Sequence, residues 1–209
     1  MPGVNSFNNN VERYEAWFTE NPFAYVSEVH AVRALLPPGS GLEIGVGTGR
    51  FAAPLGIMKG IEPSRPMAEA ARKKGVEVIP GVAEHLPFGD NEFDFCLMVT
   101  TVCFLDNMEQ AFREAYRVTK PGGHFLIGFV DSNSRLGLEY LERKDKSEFY
   151  KEATFYSVAE IAEQLTKAGF DDHQFRQTLF KPLGELTDTE PVKDGYGEGS
   201  FVVVRGRKG

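Results

Sequence analysis

Residues 41–50 read Gly41-Leu42-Glu43-Ile44-Gly45-Val46-Gly47-Thr48-Gly49-Arg50, and Glu62 follows thirteen residues after Gly49. The stretch predicts a short buried strand, a glycine hairpin, a helix start, and then a second strand ending in a carboxylate. Gly45, Gly47 and Gly49 leave no side chains where a ligand would meet the backbone, and they permit dihedrals that other residues resist. A carboxylate at the tip of the second strand can accept both hydroxyls of a ribose. Together these features describe a nucleoside-binding crevice at the carboxyl ends of parallel strands.

Spacing separates two kinds of crevice. A dinucleotide fingerprint is G-x-G-x-x-G, with the helix start against a pyrophosphate. Here the third glycine comes one residue earlier, and Glu43 precedes the first glycine by two. A carboxylate there suits a ligand with a cationic amine and is a poor neighbour for pyrophosphate. On this E-x-G-x-G-x-G pattern the chain resembles the class I S-adenosylmethionine-dependent methyltransferases.

The resemblance continues in order over roughly residues 40–130. Gly60-Ile61-Glu62-Pro63-Ser64, followed by Met67, is similar to the family's second strand and ribose site. Gly81-Val82-Ala83-Glu84-His85-Leu86-Pro87-Phe88 is similar to its adenine loop. Phe93-Asp94-Phe95 opens the fourth strand, and Arg117-Val118-Thr119-Lys120-Pro121-Gly122-Gly123 matches the turn before the fifth. The combination is most like the small-molecule group of the ubiquinone/menaquinone-biosynthesis type. It implies S-adenosyl-L-methionine as cofactor and S-adenosyl-L-homocysteine as product. The implied cofactor residues are Glu43, Gly45, Val46, Gly47, Thr48, Gly49, Glu62, Pro63, Ala83, Glu84 and Thr100. Relatives commonly carry Gly-Asp-Ala in the adenine loop, where the aspartate accepts from the adenine amine. Val82 cannot, so Glu84, a backbone carbonyl or water takes that bond.

Strand and helix alternate along the core: strand 41–45, helix 50–56, strand 57–62, helix 65–74, strand 76–79, strand 93–99, helix 106–118 and strand 124–130. That rhythm predicts a Rossmann-like, doubly wound, mainly parallel α/β sheet. The first helix has room for little more than two turns. A strand near 173–180, a polar loop and the apolar run from Ser200 to Val204 predict a final antiparallel pair. The resemblance implies seven strands. Asn21-Pro22 reads as the cap and first turn of a helix ending before Pro37-Pro38-Gly39. Asp106…Glu109 and Ser157…Glu160 read as capping boxes, and Gly169 closes the second helix. We expect one domain over 1–209: a helical cap at 1–36, a cofactor-binding core at 40–130, a lid insertion at 131–156, and a C-terminal helix with the strand pair at 157–209.

Composition bounds the function. Hydrophobic residues make up 42% and charged residues 25%, values of an ordinary globular protein, and no apolar run approaches the roughly 20 residues of a membrane span. The formal net charge of −7 argues against nucleic acid, whose binders cluster Lys and Arg. The densest basic run, Arg72-Lys73-Lys74, ends a helix and complements its dipole. Cys96 and Cys103 sit in or beside an apolar strand without metal-ligand neighbours, which suggests a reduced, cytoplasmic protein. His30, His85, His124 and His173 are scattered, so no metal site is read. Tyr116…Lys120 and Tyr140…Lys144 share the Y-x-x-x-K spacing of short-chain dehydrogenases, but Tyr116 follows Phe112 at core spacing and Lys120 abuts the Pro-Gly-Gly turn.

Aromatics concentrate in two segments. Tyr14, Trp17 and Phe18 lie near the N-terminus, and Tyr140, Phe149, Tyr150, Phe155 and Tyr156 follow the fifth strand. We expect them to form a lid that favours a cationic sulfonium and excludes water. Tyr14, Phe104 and Asp131 are the candidate contacts to a small-molecule acceptor. The expected activity is methyl transfer driven by alignment, which explains why no acid-base constellation is visible. A cofactor-binding module without catalysis and a nicotinamide oxidoreductase are the alternatives. Glu43, the missing G-x-x-G and the C-terminal strand pair disfavour the second.

Overall fold

Strand β4 (Phe93–Val99) is covered on both sides. Cys96 and Met98 pack into one apolar layer, while Phe95, Leu97 and Val99 pack into the other, as the two-residue period of a strand requires. The computed structural model describes residues 4–209. In it β4 lies between β1 (Gly41–Ile44) and β5 (Thr119–Val130), with β2 (Lys59–Ile61) and β3 (Glu77–Ile79) continuing beyond β1. These five strands are parallel. β8 (Phe201–Lys208) inserts antiparallel between β5 and β6 (Phe170–Thr178), pairing with both. The two-residue β7 (Lys193–Asp194) adds an edge to β6. The result is an eight-stranded sheet in the order β3-β2-β1-β4-β5-β8-β6-β7. It is the expected doubly wound sheet with its antiparallel pair, plus one short strand that no sequence pattern announced.

Helices α6 (Met108–Val118) and α8 (Val158–Ala168) cover one face. The other face carries α3 (Pro22–Leu35), α4 (Ala52–Leu55) and α5 (Arg65–Lys73). Before α3 come α1 (Val4–Asn9) and α2 (Val11–Glu20), and after β5 comes α7 (Arg135–Arg143). Among the described residues no helix is long and apolar enough to cross a membrane.

Local chemistry moved several boundaries. The first crossover helix, expected over 50–56, is the single turn of α4. Asn21 is no side-chain cap for α3; its amide donates to the Trp17 carbonyl at 3.0 Å and seals the end of α2. Helix α6 starts at Met108 because Asn107, not Asp106, accepts the Gln110 amide at 3.0 Å. Glu84 reinforces that start by accepting the amides of Asp106 and Asn107 at 2.9 and 3.3 Å. The Pro121-Gly122-Gly123 segment lies inside β5, which pairs with β4 from Thr119 onward and shifts register between Phe93 and Phe95. The Ser157–Glu160 capping box and the Gly169 terminus form as expected.

Replacing Asn107 or Ser157 by Ala should each lower unfolding stability by about 1 kcal/mol, read from urea denaturation. An unchanged midpoint for Asn107→Ala would place the working cap of α6 elsewhere.

Candidate active site

The loop after β1 is held by two bonds to one oxygen: the amides of Gly45 and Val46 both donate to the Ile61 carbonyl at 2.9 Å. Glu62, the residue after β2, then reaches across. Its Oε2 accepts the Gly47 amide at 2.9 Å, and its Oε1 accepts the Ser64 amide at 2.8 Å. A carboxylate offers about four acceptor positions, so each oxygen can still take another donor. Burial pushes the Glu62 carboxyl up, and the two amides work against that rise.

Glu62 and Pro63 line a cavity of about 510 Å³, together with Gly45 and Gly47. Of the three loop glycines Gly47 has the most room: it adopts φ +53°, and a Cβ there would meet only ordinary contacts, the Tyr14 hydroxyl at 3.4 Å and the Met67 Cε at 3.6 Å. A Cβ on Gly45 would strike the Thr101 side chain at 2.4 Å, and one on Gly49 would press on Ala71 at 3.3 Å. Those two are small for packing. Thr100 and Thr101, at the end of β4, form a wall of the cavity. Thr100 holds φ +51°, a strained conformation for a β-branched residue and of the kind that collects at functional sites.

Two segments far apart in sequence meet as a roof. Tyr14, Trp17 and Phe18 contribute from α2, and Tyr140, Phe149 and Tyr150 from α7 and the chain after it. Phe7 joins them, its ring 5.0 Å from Phe104 and 5.3 Å from Phe149. An ion pair between Arg13 and Glu148 ties the segments at their exposed edge. Helix α2 is also fixed to the glycine loop, because Glu15 accepts from the Thr48 hydroxyl, from Arg50 and from Lys74. Lys74 in addition reaches the Thr48 carbonyl at 2.9 Å.

The structure therefore gathers Gly45, Gly47, Glu62, Pro63, Thr100, Tyr14 and Phe104 around one cavity. It sets the other sequence candidates elsewhere, each for a local reason. Glu43 alternates with Leu42 and Ile44, so it points beneath α4, where it takes the Ala52 amide and leaves Oε2 without a partner among the described residues. Burial, with Glu62 nearby, holds its carboxyl well above the usual range. Val46 packs against Gly60, and the Thr48 hydroxyl is committed to Glu15. Ala83 is in the core, and Glu84 is committed to α6. Asp131 is buried in its own turn, accepting the Asn133 amide at 3.1 Å. The Y-x-x-x-K pair separates too: Lys120 binds Asp94, and Tyr116 packs on Phe170. Among the described residues no three His, Cys, Asp or Glu side chains come together as a metal site.

Of the cavity residues that the sequence reading passed over, one is a buried acid. Glu28, on α3, is 4% exposed and lines the cavity. Burial pushes its carboxyl up to about 8. The signal was available, since Glu28 shares the apolar helix face of Ala24, Ala31, Val32 and Leu35, where a carboxylate has no structural reason to be.

Comparison with known proteins assigns this architecture. A methyltransferase-domain family matches residues 42–127. The crystal structure of an S-adenosylmethionine-dependent methyltransferase of Thermotoga maritima, described as a possible histamine N-methyltransferase, is 56% identical. It superposes with a TM-score of 0.97 over 98% of this chain and 99% of that one. The chain belongs to the S-adenosylmethionine-dependent methyltransferases. Its cofactor is S-adenosylmethionine, and its fold is the class I fold. An uncharacterized protein of Methanocaldococcus jannaschii is 46% identical over 98% of this chain and all of its own length, 100%. A 2-methoxy-6-polyprenyl-1,4-benzoquinol methylase of Xenopus laevis is 33% identical, over 63% of this methyltransferase but only 38% of that enzyme.

The raised Glu28 carboxyl makes a pH-dependent stability test. Its folded value of about 8 lies above the ordinary 4.5, so its favourable contribution is complete below about pH 4.5 and is lost as pH rises through about 8. Glu28→Gln keeps a neutral side chain throughout. The variant should match the wild type near pH 5 and exceed it near pH 9 by a few kcal/mol, at about 1.4 kcal/mol for each tenfold change in proton affinity. Parallel urea melts at the two pH values measure this, and an equal gap at both would remove Glu28 as the cause.

Proposed function

We propose that this methyltransferase acts on a small-molecule acceptor enclosed under the aromatic roof, and that it works by alignment and exclusion of water. The observation that carries this reading is the shape of the site. A preset carboxylate and a bare glycine backbone form the floor, and two aromatic segments tied to each other form the ceiling. Glu62 would take the ribose hydroxyls on the acceptor positions that the Gly47 and Ser64 amides leave free. Gly47 would let the ligand run against bare backbone. Bound S-adenosylmethionine supplies a methyl group on a sulfonium whose leaving group is already neutral when it departs, so the protein need not build a nucleophile. Holding the acceptor in line in a closed site can supply on the order of 7–11 kcal/mol in the best cases.

Tyr14 stands beside Gly47, and burial with the surrounding carboxylates of Glu43 and Glu62 keeps its phenol firmly protonated. It serves as a hydrogen-bond donor and an aromatic face there. Aromatic faces favour cations near them. A net charge of −7 speaks for a small molecule over nucleic acid. Similar proteins are named for a polyprenyl benzoquinol and, as a possible activity, for histamine, both of which carry a ring. A screen of small amines and phenols with S-adenosylmethionine, reading release of S-adenosylhomocysteine, tests the reading directly.

Glu62→Ala should weaken S-adenosylhomocysteine binding by about 1.5–3 kcal/mol, since bonds to a charged acceptor are worth that much. Calorimetry that finds the affinity unchanged would move the ribose site away from β2. Amide exchange in residues 7–18 and 140–150 should slow when S-adenosylhomocysteine binds, as expected of elements that close over a ligand. Identical exchange with and without ligand would leave both segments as static packing.

A further inference from the structure

Glu28 lies one turn from Ala24 and Val32 on the buried side of α3, yet its carboxyl group borders the cavity. Among the described residues nothing hydrogen-bonds or ion-pairs with that group. The groups facing it are the phenols of Tyr14 on α2, Tyr140 on α7 and Tyr150 in the following chain. Burial holds all three protonated, and their hydroxyls likewise lack partners among the described residues. Tyr140 and Tyr150 stack at 5.2 Å. Arg13, Glu20 and Glu62 line the same cavity. A buried carboxylate without a partner costs several kcal/mol, and a protein core has no use for one. Combined with aromatic faces it is the chemistry that recognises an ammonium group.

We propose that Glu28 and the Tyr140–Tyr150 pair form an ammonium site, so that the methyl acceptor is a small amine that Glu28 both binds and deprotonates. This inference rests on the reading of the cavity as a methyl-transfer site for a small molecule. An ammonium nitrogen has no lone pair to give. Glu28 takes one N–H proton, leaving a neutral amine and a protonated carboxyl group. The freed lone pair forms the nitrogen–carbon bond to the methyl group as the carbon–sulfur bond breaks, and that bond's electron pair stays on sulfur. The product nitrogen carries the positive charge, and the proton on Glu28 passes to solvent on release. An ordinary carboxylate is too weak a base for this step. Burial raises the Glu28 carboxyl toward the range of an amine, and a base nearer in strength to the acid it serves takes the proton more effectively.

The test uses the complex with S-adenosylhomocysteine, titrated calorimetrically with 2-phenylethylamine, histamine and the uncharged control 2-phenylethanol. The wild type should prefer an amine to the alcohol, and its amine affinity should rise with pH up to about 8. Glu28→Gln should lose roughly 10–100-fold in amine affinity and the pH dependence, while keeping its affinity for the alcohol and for S-adenosylhomocysteine. Equal binding of amine and alcohol by the wild type would overturn the proposal, as would undetectable binding of both amines at millimolar concentration. A Glu28→Gln variant that loses affinity for S-adenosylmethionine but not for S-adenosylhomocysteine would assign Glu28 to the sulfonium and end the proposal too. Failure of the wild type to bind S-adenosylhomocysteine would strike the cavity reading itself. Should Glu28→Gln not fold, the wild-type amine preference and its pH profile decide the matter alone.

Discussion

The Glu62 carboxylate is the constraint on which the cavity depends. Burying it costs several kcal/mol unless its oxygens are satisfied, and two backbone amides meet that demand. One of them, from Gly47, belongs to the loop after β1; the other, from Ser64, opens α5. A single side chain thus fixes the glycine loop, the end of β2 and the start of the next helix relative to each other. The floor is rigid before any ligand arrives, which spares a ligand the ordering cost that a loose loop would impose.

Around this floor the protein gathers more buried acid than its fold needs. Glu43 is raised by burial beneath α4, and Glu28 is raised by burial beside the cavity. Glu15 behaves differently because two cations and a hydroxyl surround it: Arg50, the Thr48 hydroxyl and Lys74 hold its carboxyl below the usual range despite partial burial. The contrast separates two uses of a carboxylate. Glu15 is a fastener between α2 and the loop, satisfied on all sides. Glu28 has no partner among the described residues.

The sheet was readable because it rests on periodicity and turn chemistry, which are local. β4 begins and ends at the residues the apolar run indicated, and the Ser157 capping box formed with both of its bonds. The motif loop was readable in outline only. Which of its side chains face the ligand depends on strand alternation and on what lies behind. The pattern that names Glu43, Thr48 and Gly49 as a set does not show that α4, Glu15 and Ala71 claim them. Asp106 misled for a related reason, since Asn107 caps α6 and Glu84 supports that start from a distant loop. Glu28 belongs to no glycine motif or strand end, and its signal is a charge misplaced on an apolar helix face.

The central position of β8 has a consequence for how the chain is assembled. Residues 41–130 contain every parallel strand, yet their sheet stops at β5, an edge whose Phe125, Ile127 and Phe129 are fully apolar. β6 comes earlier in the chain than β8 but joins the sheet only through it. During synthesis, then, a nearly complete core must wait with a long open edge until the last of its strands emerges. Such an edge is a template for pairing with another chain. The antiparallel strand that closes the sheet is therefore also its protection against self-association, and crowded, half-made copies on neighbouring ribosomes are where that protection is absent.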